Sequence, residues 1–153
     1  MDYIRPFVAS TQSVFTTMLG LELQRVNFCA IDADRPSYEV NGVIGFAGGI
    51  TGNIVLSMTS SLAWEVVSGL LQAESPDTEE LVDAVSELTN MIAGGAKSRL
   101  RRDDLKITLP SVLLGENGLV KLPGVATTAK IDFNSNHGPL TVSIGLLENQ
   151  LSA

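Results

Sequence analysis

The stretch from Pro76 to Arg101 constrains this chain more than any other. Ser75-Pro76-Asp77-Thr78-Glu79-Glu80 sets a cap candidate, a proline suited to a first helical turn and three early carboxylates ahead of a long apolar periodicity. Lys97, Arg99, Arg101 and Arg102 stand at the far end, where cations complement the helix dipole. At about 100° per residue, Leu81, Val85, Leu88, Ile92 and Ala96 fall on one face, which predicts one wall of a core. Asp83, Glu87, Asn90, Gly94, Lys97 and Arg101 share a wedge of roughly 80° on nearly the opposite side. That wedge predicts a surface for solvent or for a partner.

The rest of the chain is arranged around this helix. Ile4, Phe7, Val8, Phe15, Met18 and Leu19 recur at spacings of three and four or their sums, and Gly20 stands where a helix would stop, so Tyr3 to Leu19 reads as a first helix. Arg25 to Ile31, Ser37 to Phe46 and Gly52 to Met58 are short runs rich in Val, Ile and aromatics, expected as three strands in an antiparallel meander. Ser60-Ser61 is expected to cap a helix carrying Leu62, Ala63, Val66, Val67, Leu70 and Leu71 and ending near Gln72-Ala73. After the long helix come Ile107 to Leu114, a turn at Gly115 to Gly118, Leu119 to Leu122, Val125 to Phe133, a loop at Asn134 to Pro139, and Leu140 to Leu147. One N-terminal helix, strands, two consecutive central helices and further strands lack the strand-helix alternation of doubly wound folds, and imply an α+β fold with a largely antiparallel sheet. No linker, repeat or low-complexity tract divides residues 1–153, which read as a single domain.

Composition removes several functional classes. At 153 residues a folded chain buries roughly 70% of the surface its unfolded form exposes, so a core suffices without staples. Cys29 cannot close an internal disulfide, and Cys29 with His137 cannot supply the three or four N/S ligands of an ordinary zinc site. No metal site of the protein's own is expected. A formal charge of −7 without a long basic run argues against nucleic acid and anionic membrane as partners. The N-terminus lacks the apolar run of a secretory signal, and no stretch approaches the 18 or so apolar residues of a membrane span. With a lone thiol, the expectation is a cytoplasmic protein.

Two features set the polar stripe apart from an ordinary solvated face. Asn90 is a poor mid-helix residue, and each of Gly94 and Gly95 costs about 1 kcal/mol relative to Ala, so propensity does not select them. Glu87 and Asn90, at i and i+3, project a carboxylate and a carboxamide side by side. Such a pair can enter a neighbouring molecule's cleft together. Other candidates read as structural: Cys29 as a small buried hydrophobe, His137 as a turn residue, Trp64 as core or dimer interface, and Lys97, Arg99, Arg101 and Arg102 mainly as dipole complements. Gly48, Gly49 and Gly52 lack the P-loop Lys-Ser/Thr and the Rossmann spacing, which favours a hairpin turn over a phosphate cradle.

Ser86-Glu87-Leu88-Thr89-Asn90-Met91-Ile92-Ala93-Gly94 resembles the E-x-x-N helix signature of the CheC/CheX/FliY chemotaxis phosphatases, with Asp83 at the position four residues before the Glu. Gly45 to Ile54 resembles the glycine-rich strand connection of CheX, and Ile107 to Gly115 the segment after its signature helix. With the element order, the resemblance spans nearly the whole chain. The signature occurs once, as in CheX and unlike two-motif CheC. The resemblance implies a homodimer joined through its sheets, with one site per subunit. It also implies a phosphorylated CheY-type receiver as substrate, which brings its own Mg²⁺ while this protein carries no cofactor. Asn90 would orient the attacking water and Glu87 would pair with the receiver's active-site lysine, with Asp83, Glu87, Gly94 and Lys97 forming the partner-binding stripe. The alternatives are a receiver-binding adaptor without catalysis and a structural dimer module in a chemotaxis or flagellar assembly.

Overall fold

A computed structural model of the protein describes residues 3–29, 38–115 and 129–148. The elements run α1 (Ile4–Leu19), β1 (Gln24–Cys29), β2 (Val40–Gly48), β3 (Ile50–Met58), α2 (Ser60–Leu71), α3 (Thr78–Leu100), β4 (Leu105–Ile107), β5 (Ser111–Leu114), β6 (Ala129–Ser135) and β7 (Gly138–Glu148). The seven strands form one antiparallel sheet in the order β1-β6-β7-β3-β2-β4, with β5 also pairing β2. This is the expected α+β arrangement. The strand expected at Leu119–Leu122 and the side chain of Cys29 lie outside the described residues.

Register explains why one face of the sheet is apolar. Ile44 faces Ile54, which faces Ile144, and Ile144 faces Ala129; Val40, Met58, Leu140 and Phe133 form a parallel row across the same four strands. Because side chains alternate along a strand, these rows share one face, and α1, α2 and α3 bury it. Leu81, Val85, Leu88, Ile92 and Ala96 of α3 are all in that core, as the periodicity predicts.

Two glycines set how closely α3 can lie. At Gly42 of β2 an added Cβ would collide with Oγ1 of Thr89, so the helix rests against a strand position that has no side chain. At Gly95 an added Cβ would collide with Oγ of Ser10, where α1 crosses α3. The fully buried Ser10 hydroxyl donates to the Ile92 carbonyl at 2.6 Å, which satisfies a polar group that burial would otherwise penalise.

Several boundaries depart from expectation. The first three strands do not form a meander: β2 and β3 are a hairpin, but β1 lies across the sheet, paired with β6. The ten residues separating β1 from β2 exceed the two to five of a tight hairpin, so adjacency in sequence does not enforce pairing. The cap of α2 is Thr59, one residue before the expected pair, with its hydroxyl accepting from the Leu62 amide at 3.3 Å. The cap of α3 is Asp77, so Pro76 precedes the helix. Asp77 Oδ1 accepts from the Glu80 amide at 2.8 Å while Glu80 Oε1 accepts from the Asp77 amide at 3.1 Å, a reciprocal capping box that outcompetes Ser75. The run from Ile107 to Leu114 is two strands split around Thr108-Leu109-Pro110, where proline lacks the amide a ladder needs. At the other hairpin, pairing continues to Ser135 and Gly138, leaving Asn136-His137 as a two-residue turn rather than a six-residue loop.

Candidate functional site

The polar stripe of α3 runs along the side of the helix turned away from the core. Asp83, Glu87 and Asn90 are exposed, and Gly94 and Lys97 are half-buried. Their spacings of four, three, four and three residues keep them in line along a 23-residue helix. Arg101 leaves the line. It is the C-cap, in the left-handed region at φ 54°, so the helical wheel no longer describes where it points.

Glu87 and Asn90 stand one turn apart, and among the described residues no hydrogen bond or ion pair takes up either side chain. The burial of Thr89 and Leu88 between them locks the helix rotation that turns both outward. Gly94 and Gly95 have different causes. Gly95 is required by the crossing with α1, whereas a Cβ on Gly94 would meet nothing within 4 Å. Nothing among the described residues calls for glycine at Gly94, where Ala would favour the helix by about 1 kcal/mol. Its smoothness is an outward-facing feature. Charge is also ordered along the stripe: carboxylates of Asp83 and Glu87 lie toward the N-terminal half, and the Lys97 ammonium lies in the last turn.

Residues with structural roles separate cleanly from this face. The Arg99 guanidinium donates back to the Gly95 carbonyl at 3.2 Å, as expected for a cation at a helix end. Arg102 instead binds Asp104 through two hydrogen bonds of 2.8 Å, which hold the Asp104 carboxyl below the usual carboxylate range. A depressed carboxylate pKa contributes stability above its unfolded value and loses it as pH falls through the folded one, so this clasp weakens only in acid. The Gly49 amide donates to the Asp104 carbonyl at 3.1 Å, and Gly48 adopts φ 103° where a Cβ would strike that same carbonyl. The glycine-rich connection is therefore a hairpin turn seated on the chain leaving α3, with its Gly49 amide already engaged. His137 is an exposed turn residue, its amide donating to Ser135 Oγ at 3.2 Å, and Trp64 packs partly buried against the core. Among the described residues no three or more His, Cys, Asp or Glu side chains gather into a group able to hold a metal ion, and no helix is long and apolar enough to cross a membrane.

Sequence reasoning missed the surface beside the stripe. A groove of about 330 Å³ runs between the end of α2 and α3, lined by Leu70, Leu71, Glu80, Asp83, Ala84 and Glu87. Leu71 keeps 46% of its surface exposed, although its position in the apolar repeat of α2 suggests burial. The available signal was its place as the last helical residue, next to the left-handed cap Gln72, where the chain turns off the sheet.

An open antiparallel sheet covered on one face by helices is a fold that this chain shares with solved CheX and CheC-like proteins. The sequence profile described as "Chemotaxis phosphatase CheX" matches residues 40–134, more than half of the chain. The protein belongs to the CheX family. It is 29% identical over 126 residues to the CheY-P phosphatase CheX of Thermotoga maritima, covering 80% of this chain and 81% of that one. The crystal structure of CheX from Desulfovibrio desulfuricans superposes with a TM-score of 0.85 at 28% identity, covering 96% of this chain and all of that one. CheX of Borrelia burgdorferi, solved as a CheX–CheY–BeF₃–Mg²⁺ complex, gives a TM-score of 0.73 at 27% identity over 96% of this chain and 99% of that one.

Proposed function

We propose that the protein is a phosphatase that accelerates hydrolysis of the aspartyl phosphate on a CheY-type receiver, by inserting the Glu87–Asn90 face of α3 into the receiver's active site. The observation that carries this reading is the pair itself: two outward polar side chains one helical turn apart, neither engaged among the described residues, and followed by a glycine that no contact among those residues requires. Glu87 pairs with the receiver's lysine and sets the register of docking. The Asn90 carboxamide hydrogen-bonds the attacking water and holds it in line with the phosphorus, which lowers the barrier through orientation without a proton transfer by the amide. Mg²⁺ stays with the receiver. Asp83 and Lys97 extend the contact at either end, and Gly94 lets the receiver surface approach the helix backbone. The reaction takes place in the cytoplasm, where receivers are phosphorylated.

Decay of phosphate from a purified CheY-type receiver with Mg²⁺ tests this directly. Acceleration by the wild-type protein is expected; binding without acceleration across several receivers would overturn the enzyme reading in favour of an adaptor. Gly94→Ala gives a second, opposed readout. It should raise stability by about 0.4–1 kcal/mol in a denaturant titration while weakening receiver docking, because the added methyl group stands where the partner must approach. A variant that is more stable and docks unchanged would remove Gly94 from the interface.

The same reading includes a homodimer joined edge to edge. Leu109, 90% exposed, and Leu113 and Leu114, each 48% exposed, crowd the β4–β5 side of the sheet, whereas on the β1 edge Val26 is the exposed large apolar side chain among the described residues. An apolar edge strand invites another strand, and the leucines favour β4–β5 as the joined edge. Sedimentation equilibrium should give twice the 16.2 kDa chain mass, shifting toward monomer in Leu113→Lys. A monomeric wild type at micromolar concentration would sink the dimer.

A further inference from the structure

The groove beside the stripe has a floor of Leu70, Leu71 and Ala84 and a rim of Glu80, Asp83 and Glu87. Every ionisable group lining it is a carboxylate. That combination suits an apolar side chain whose neighbour in the partner is a lysine or arginine: the apolar group leaves water against the leucines, and the cation meets the rim. Anionic ligands are disfavoured by the same rim.

We infer that this groove is a specificity pocket for the receiver, seating an apolar residue flanked by a basic one on the receiver surface next to its phosphorylation site. The inference rests on the phosphatase reading for the identity of the partner, and on continuity for the location. Glu87 belongs both to the groove and to the Glu87–Asn90 pair, and Asp83 lies one turn, about 5–6 Å, further along the same helix. A protein large enough to enclose Asn90 in a cleft must overhang the groove. Leu71 then has a reason to remain half-exposed, since its surface is completed in the complex. Receivers share the chemistry of their phosphorylation sites, so discrimination among them falls to contacts outside it. Leu71 is a specificity-determining residue of this kind, with no contact to the reacting atoms.

The test is isothermal titration of a purified CheY-type receiver, activated with BeF₃⁻ and Mg²⁺, into wild type, Leu71→Gln, Leu71→Ala and Met18→Gln, paired with steady-state kinetics on the phosphorylated receiver. Met18 is an exposed apolar residue on α1, which serves as the control for general surface change. Leu71→Gln is expected to weaken binding about tenfold and to raise KM comparably, with kcat within about twofold, because one buried leucine contact is lost and the Asn90 water is untouched. Leu71→Ala should follow the same direction while preserving helix propensity, so a shared loss cannot be assigned to a misfolded helix end. Affinity and KM unchanged in both Leu71 variants, or equally weakened by Met18→Gln, would overturn the pocket. Binding that is lost in Leu71→Gln without any acceleration by wild type supports the pocket while rejecting the phosphatase reading, so the two failures are distinct. A wild type that binds no receiver overturns both.

Discussion

Asn90→Ala is expected to abolish the acceleration of receiver dephosphorylation, by about 100-fold in kcat, while leaving receiver affinity within a few-fold of wild type. The size follows from the role: a group that places a water in line contributes through geometry, and misplacement of about 1 Å costs about 10². The stability of the variant should not fall, because Asn90 is exposed and alanine is the stronger helix former. Purified variant and wild type are compared at equal folded concentration, reading phosphate decay and, separately, affinity for the BeF₃⁻-activated receiver. Loss of rate with retained binding fits a positioned water. Equal loss of both would make Asn90 a docking residue, and an unchanged rate would remove it from the chemistry altogether.

Phe7→Ala should be the costliest single truncation, at about 3–5 kcal/mol out of a total that for a domain of this size is about 5–15. Phe7 is fully buried, and its ring meets that of Phe46 edge to face, with centroids 5.7 Å apart and planes at 83°. Truncation leaves a cavity where α1 meets Phe46 of β2, and removes an aromatic contact that contributes beyond its area. A urea titration should show a lower midpoint at nearly unchanged slope, whereas Met18→Ala on the same helix, half-exposed, should stay within about 0.5 kcal/mol. A loss below about 1 kcal/mol for Phe7→Ala would mean that the core collapses onto the vacancy. The effect should reach function as well, because α1 fixes α3 through Ser10 and Gly95, and with it the orientation of Asn90.

The candidate site was legible because it lies on one helix. A 3.6-residue period relates positions within a single element, so Asp83, Glu87, Asn90, Gly94 and Lys97 could be set on one line, opposite a core face, before any tertiary contact was known. The same reasoning failed at Arg101, where a left-handed cap ends the period. Capping needed more than composition: the sequence sets Ser75 as the cap candidate, Pro76 in the first turn and Asp77 among the early carboxylates, and the reciprocal bond with Glu80 moves the cap to Asp77. The Gly94-Gly95 pair could be noticed but not explained, since the two glycines face different neighbours, and only the crossing with Ser10 separates their roles.

Sequence alone determined the order of helices and strands, the face of α3 that enters the core and the residues left on its outer face, because each depends on side-chain chemistry repeated at the period of a single helix or strand. Tertiary structure decided the placement of β1 beside β6, the seating of Thr89 on Gly42, and the groove between α2 and α3 that keeps Leu71 open. Those outcomes join residues distant along the chain, where shape complementarity and the competition between alternative partners set the result, and no local period carries that information.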